Sequence, residues 1–187
     1  MDLYDNDFLL SLLIQFITIV PYGIAFWREK KKNVLQWVAF SCGLFTVGYL
    51  ISKAYSGIVI AVGTFISTLI GMFFERVTNI KLYVRHIVFF LMVLLTILVS
   101  LSIDNSAKMW LILIAGFFDY YAYLVFKEYG KTMHIVLIAS QITLVVYELL
   151  YSLFVFALLD FVTAIIITVH LSRLIKAKQT EKQKVCK

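Results

Sequence analysis

Long apolar stretches alternate with short polar segments along the whole chain. Seven stretches of about 18–20 residues stand out, and a helix of that length, rising about 1.5 Å per residue, crosses the hydrocarbon core of a bilayer. The pattern therefore predicts an all-α integral membrane protein with seven transmembrane helices. The predicted spans are Phe8–Trp27, Val34–Ser52, Ser56–Phe74, Val84–Leu101, Met109–Phe126, Thr132–Tyr151 and Leu153–Leu171.

The composition excludes most other classes of protein. Of the 187 residues 62% are hydrophobic and 15% are charged, whereas soluble domains carry about 25% charged residues. One proline, eight glycines and two cysteines exclude collagen, a disordered chain and a disulfide scaffold. The acidic N-terminus, with no small-residue cleavage site after the first stretch, predicts that this stretch is a retained span rather than a signal peptide.

The basic residues predict the orientation of the chain in the membrane. Alternate loops and the C-terminal tail hold 15 of the 17 Lys and Arg residues, and the remaining two are Lys53 and Lys108. Because basic loops stay on the cytoplasmic side, the N-terminus is predicted outside and the C-terminus inside. The net charge of +6 then reflects topology and contact of the tail with anionic lipid headgroups, and no nucleic-acid partner is expected.

A weak internal repeat divides the spans. A shift of 99 residues aligns Arg28-Glu29-x-x-Lys32 with Lys127-Glu128-x-x-Lys131, and Thr64 with Thr163. The same shift superposes spans one to three on spans five to seven, so an odd linker span gives both copies one orientation. The expected fold is a single membrane domain with a 3+1+3 parallel repeat. Its parts are a first three-helix bundle (8–74), a linker helix (84–101), a second bundle (109–171) and a basic cytoplasmic tail (172–187).

Short motifs in both halves carry a family resemblance. They are Gln15, Phe26-Trp27-Arg28-Glu29-Lys30-Lys31-Lys32-Asn33-Val34-Leu35-Gln36, Gly48-Tyr49-Leu50-Ile51, Tyr55-Ser56-Gly57, Tyr147, Ser152, Asp160 and Arg173. Together they resemble the YgjV family of bacterial inner-membrane proteins. The resemblance implies a multi-pass protein of the bacterial cytoplasmic membrane, and it implies no particular activity.

The layout is more distantly similar to SWEET, PQ-loop and nicotinamide-riboside transporters, which share the three-one-three topology. The sequence departs from both patterns. Thr64 and Ser67 lie in the third span, where the YgjV family often carries Asn and Arg, and Tyr22 follows Pro21 where a PQ-loop has glutamine.

Ionisable residues within spans are costly and mark candidate sites. Asp119 and Asp160 both lie near the bilayer midplane, at depths of about 15 Å and about 13 Å. If they face one cavity, we expect them to share one proton or one bound cation. The alternative is that each acid is protonated and hydrogen-bonded to a neighbour, simply holding helices together.

Span six carries a polar stripe. His134, Gln141 and Glu148 are spaced by seven residues and share one face, with Tyr147 beside them. The stripe predicts either a solute pathway or a packing seam, and His134 near the inner interface is explained by headgroup solvation. Lys53 either extends its amine to the outer surface or pairs with Glu148.

Other features complete the predicted site. Gln15 in span one and Tyr120 beside Asp119 are candidate solute contacts, although Tyr120 also fits a packing role. Tyr22 lies on one face of span one, with Cys42 and Tyr49 on one face of span two. The small residues Gly63, Ser67 and Gly71 of span three predict close helix packing. No catalytic motif, metal-ligand spacing or cofactor motif is recognisable, so no enzyme is expected.

These observations predict a small-molecule transporter with a midplane site between the two bundles. Its expected substrate contacts are Asp119, Asp160, Gln15, Gln141, Glu148, Tyr120 and Tyr147. The acids favour a cationic solute, or a small polar solute coupled to protons or cations. The competing hypothesis is a non-transporting scaffold or accessory protein whose buried acids are structural.

Overall fold

The computed structural model of the protein describes residues 6–27, 30–51, 55–77, 80–103, 106, 109–150 and 153–185, and these residues fold into helices joined by short connections. The helices are α1 (Asn6–Phe26), α2 (Lys31–Ile51), α3 (Tyr55–Arg76), α4 (Leu82–Ile103), α5 (Met109–Tyr120), α6 (Lys131–Leu150) and α7 (Phe154–Val185). A π-helical segment (Tyr121–Val125) continues α5. The predicted turn at 151–152 lies outside the described residues.

The helices have the length and composition of a helical membrane protein. Within the described residues α2, α3, α4, α6 and α7 are long and apolar enough to cross a bilayer, while Phe16–Phe26 and Met109–Val125 are shorter apolar helices. The outward face of α4 is strongly apolar. Its large side chains that are more than half exposed are Tyr83, Ile87, Phe90, Leu91, Leu94, Leu95 and Leu98. Such a face is suited to hydrocarbon rather than water.

Six of the helices close into a ring. Around it α1 packs on α2, α2 on α3, α3 on α5, α5 on α6, α6 on α7, and α7 on α1. We call α1–α3 the first half and α5–α7 the second half. Helix α4 contacts α3 and α5.

Small residues allow the two halves to approach closely where α3 meets α5. A β-carbon on Gly63 would lie 1.9 Å from the Tyr120 hydroxyl, and one on Gly71 would lie 2.8 Å from the Tyr123 backbone carbonyl. Ser67, between these glycines, is fully buried. The predicted small-residue seam therefore packs against α5 and the π segment.

Buried cations satisfy backbone carbonyls at one end of the ring. Arg85 donates to the carbonyls of Leu124 and Phe74, and Lys31 donates to the carbonyl of Phe126. Glu75 forms ion pairs with both cations, at 3.2 Å to Lys31 and 3.5 Å to Arg85. Carbonyls at the end of a helix lack intrahelical partners, so these contacts anchor the π segment. We call this end of the ring the basic end.

The last helix is longer than the predicted span. It continues from Phe154 to Val185, through most of the predicted basic tail at 172–187. The tail contains no glycine or proline and is rich in Lys, with two Gln residues, and both residue types are good helix formers. At the basic end, the Arg173 guanidinium lies 4.0 Å above the centre of the Trp27 ring.

Candidate functional site

A small cavity of about 50 Å³ lies inside the ring. All six ring helices contribute to its wall. The described lining residues are Tyr22, Cys42, Phe45, Tyr49, Gly57, Ile60, Ala61, Thr64, Ile112, Asp119, Gln141, Leu144, Tyr147, Asp160 and Thr163. At about 10–15 Å³ for each water, the space holds a few waters or one small ion.

The wall of the cavity follows the 99-residue shift seen in the sequence. Four pairs of lining residues are separated by that interval. They are Cys42 with Gln141, Phe45 with Leu144, Ala61 with Asp160, and Thr64 with Thr163. Equivalent positions of the two halves thus face the same space from opposite sides of the ring.

The helix contacts follow the same shift. It relates α1 to α5 and α3 to α7, so the contact of α3 with α5 corresponds to the contact of α7 with α1, and both contacts occur. Tyr49 and Glu148, also 99 residues apart, are joined directly, with the Tyr49 hydroxyl donating to Oε1 of Glu148 at 3.0 Å. We call this end of the ring, where α2 and α6 terminate, the Glu148 end.

Asp119 reaches the cavity from α5. Its side chain is buried, and Oδ2 accepts a hydrogen bond from the Thr64 hydroxyl at 3.3 Å. The neighbouring Ser140 hydroxyl donates to the carbonyl of Ala115. Among the described residues no hydrogen-bond partner reaches Oδ1 of Asp119, which is buried.

Asp160 reaches the cavity from α7, and its carboxyl lies close enough to that of Glu148 on α6 for the two groups to interact. Both acids are buried, with exposed fractions of 6% and 1%. No donor from another described residue reaches Oδ2 of Asp160 or Oε2 of Glu148. Asp119 and Asp160 are also close enough for their charges to interact. Asp119 and Asp160 therefore face one cavity, with Glu148 beside Asp160.

The other residues predicted to contact the solute lie in different places. Gln141 and Tyr147 line the cavity. Tyr120 does not line it, because its hydroxyl points toward α4 and lies 3.0 Å from the Thr96 hydroxyl. The side chain of Gln15 lies outside the described part of the structure, as does the whole of Lys53.

Several lining residues were not among the predicted contacts. Tyr22, Cys42 and Tyr49 line the cavity from the first half, and the Tyr22 hydroxyl lies 3.3 Å from that of Tyr123 in the second half. Their helical faces are recognisable in the sequence. The packing of the other half decides which of those faces points into the cavity. The local sequence carries no signal for that choice.

The cavity is acidic overall. None of its described lining residues is Lys, Arg or His, so an ionised Asp119 or Asp160 has no fixed positive partner there. Buried acids without a basic partner hold protons or attract cations. In the described residues no group of three His, Cys, Asp or Glu is arranged to hold a metal ion. The chemistry of the cavity suits a proton or a small cation.

Two histidines meet at the basic end, outside the cavity. Nε2 of His134 lies 2.9 Å from Nδ1 of His170, and the rings are nearly parallel. Tyr129 packs against both rings, and burial raises the pKa of its hydroxyl. The sequence interpretation placed His134 at a solvated interface; instead its side chain is fully buried.

Comparison with known proteins gives no assignment. No protein-family model, curated protein or solved structure matches this chain.

Proposed function

We propose that the protein is a small-molecule transporter that works by alternating access around the central cavity. The first and second halves are its two three-helix bundles, and α4 is the linker. One observation carries the proposal: a cavity containing two buried acids lies between the halves and is lined by residues equivalent under the 99-residue shift. Parallel repeats of this kind place a substrate site at their interface near the bilayer midplane.

The proposed topology has seven spans in a 3+1+3 parallel repeat. The five long apolar helices support it, and the shorter α1 and α5 supply the two remaining spans. Contacts between equivalent helices support a parallel arrangement, because Tyr49 and Glu148 both lie near the C-terminal ends of their helices. The basic loops support an outside N-terminus and an inside C-terminus, in a membrane that the YgjV resemblance suggests is the bacterial cytoplasmic one.

Contacts between the halves lie on both sides of the proposed substrate site. The Tyr49–Glu148 hydrogen bond lies toward the Glu148 end, and the Tyr22–Tyr123 contact joins the parts of α1 and the π segment nearer the basic end. Alternating access requires the halves to separate at one end while they stay together at the other. In this proposal one contact breaks in each open state.

The proposed solute is small and polar or cationic. The cavity of about 50 Å³ holds only a few waters, so a larger solute enters only after the halves separate. Asp119, Asp160, Gln141 and Tyr147 supply polar contacts, with Glu148 behind Asp160. Protons or cations that neutralise the acids are candidate coupling ions.

The scaffold hypothesis is favoured by a different observation. Asp119 accepts a hydrogen bond from Thr64, and Glu148 accepts one from Tyr49. Both acids therefore connect the second half to the first. A purely structural role for the acids would account for these bonds without any solute.

Uptake by proteoliposomes separates the two hypotheses. Wild type, D119N, D160N and the double variant are compared with E128Q, which changes an exposed acid away from the cavity. The probes are radiolabelled methylammonium, choline and glucose, each tested with and without a pH gradient. Transport predicts uptake of at least one probe that D119N and D160N abolish while both variants still elute as folded monodisperse protein. Loss of folding in these variants, with no uptake by wild type under any gradient, would establish the scaffold role instead.

A further inference from the structure

We infer that Glu148 and Asp160 form a proton-binding site, and that its single shared proton keeps the Glu148 end of the ring closed. The inference rests on the proposed transport function and deepens it, since it assigns proton coupling to this pair rather than to Asp119. Three features of the pair carry it: the contact itself, the groups around it, and its connection to Tyr49.

The contact between the two acids requires a proton. An ionised carboxylate only accepts hydrogen bonds, whereas a protonated carboxyl group also donates one. The buried carboxyls of Glu148 and Asp160 lie close enough to interact, and among the described residues no hydrogen-bond partner reaches Oε2 of Glu148 or Oδ2 of Asp160. A proton on one acid supplies the donor that the other lacks, so in this proposal the pair shares one proton and holds a total charge of −1.

Among the described residues, the surroundings of the pair offer no other group to neutralise it. The titratable groups that face it are Tyr22 on α1, Cys42 and Tyr49 on α2, and Asp119 on α5. The described residues of α3 that line the cavity are Gly57, Ile60, Ala61 and Thr64, none of which titrates. Tyr147 on α6 lies near Tyr49. All the titratable groups here are neutral or acidic, so the proton is the pair's own counterion.

Loss of the proton changes the contact between the halves. Two neighbouring buried carboxylates repel one another, so the deprotonated pair separates. Glu148 also accepts the Tyr49 hydrogen bond from the first half, and this bond lies at the Glu148 end. Movement of Glu148 away from Asp160 therefore disturbs the contact that closes this end. One proton leaves the pair as the end opens, and one returns as it closes.

Infrared spectroscopy of the full-length protein in detergent tests the shared proton without any solute. The carbonyl stretch of protonated carboxyl groups is followed while the pH is raised, in wild type, E148Q, D160N and D119N. The inference predicts a band that disappears at high pH and is absent from both E148Q and D160N, because the remaining acid of each variant ionises once the amide can donate to it. D119N retains the band. Survival of the band in E148Q and D160N at about half its intensity would show two independent protonated acids and overturn the inference.

Labelling of Cys42 tests the opening. This buried thiol lines the cavity, and C186S removes the other cysteine. The inference predicts that labelling of Cys42 by a small maleimide rises severalfold more with pH in C186S than in C186S/E148Q. Both proteins carry Cys42, so the comparison corrects for the greater thiolate fraction at high pH. Equal pH dependence in the two proteins would contradict it. The outcomes separate from those of the transport proposal: a shared titrating band without uptake defeats transport alone, and uptake without that band defeats the proton pair alone.

Discussion

The hydroxyl of Tyr120 occupies the space that a side chain at Gly63 would need. A β-carbon at that glycine would lie 1.9 Å from the hydroxyl oxygen and 2.8 Å from the ring carbon that bears it. The same hydroxyl lies 3.0 Å from that of Thr96 on α4, so Tyr120 fills the junction of α3, α4 and α5. Glycine on α3 allows one side chain to join three helices.

We expect G63A to destabilise the protein, because overpacking a buried junction costs about 1–3 kcal/mol of the free energy of unfolding. The measurement is chemical unfolding in mixed micelles. G43A is the matched control, since a β-carbon there meets nothing within 4 Å. Y120F should relieve part of the loss when combined with G63A, because it removes the clashing oxygen. Equal stability of G63A and G43A would show that Tyr120 moves aside freely.

Y49F should weaken the contact between the halves. It removes the donor to Glu148 and leaves the packing of the ring in place, and the loss of a hydrogen bond to a charged or buried group costs about 1–3 kcal/mol. Thermal unfolding followed by circular dichroism should show a lower midpoint than in wild type. Y55F is the control, because Tyr55 is exposed. A midpoint for Y49F that matches Y55F would mean that the bond contributes nothing measurable.

E75Q should destabilise the basic end. It removes the negative partner of Lys31 and Arg85, two cations with side-chain exposures of only 4% and 6%. Breaking a buried ion pair costs about 3–5 kcal/mol, and we expect the lower part of that range because Glu75 itself is 20% exposed. E128Q, at an exposed position of the same end, should unfold like wild type in the same denaturant titration. Similar unfolding of E75Q and E128Q would contradict the prediction.

The hydrogen bonds of His134 and His170 predict their tautomers. Nδ1 of His134 lies 2.8 Å from the carbonyl of Gly130, which only accepts, so this nitrogen carries the hydrogen. In the neutral ring Nε2 then accepts, and Nδ1 of His170 must donate to it. Nitrogen NMR of histidine-labelled protein should therefore report the Nδ1–H tautomer for both residues. H134N and H170N assign the signals, and an Nε2–H tautomer at either residue in neutral solution would refute the arrangement.

The apolar runs and the charges of the sequence were sufficient to predict helices typical of a membrane protein and to predict their approximate bounds. Met109 begins α5 as predicted, because a polar segment precedes an unbroken apolar run. The positions of Asp119 and Asp160 within α5 and α7 agree with the predicted spans, whereas their depths in the bilayer stay predictions. The number of spans and the transport function remain predictions.

Contacts between helices could not be predicted in the same way. The pairing of Glu148 with Asp160, and of His134 with His170, depends on how α6 and α7 are rotated against each other. A span that faces protein on one side and lipid on the other is apolar on both sides, so its sequence gives little sign of its rotation. The π segment was not predicted, because the contacts that stabilise it come from other parts of the chain. Arg85 and Lys31, from α4 and α2, satisfy carbonyls at its end.

Because α4 lies outside the ring, the chain can be divided next to it without the loss of a ring helix. The ring closes through direct contact of α3 with α5, and α4 packs against these two helices without belonging to the ring. The described residues that line the cavity all belong to the other six helices, so α4 connects the two halves without forming part of that wall. A chain divided between α4 and α5 would keep all six ring helices, with the first half on one fragment and the second half on the other.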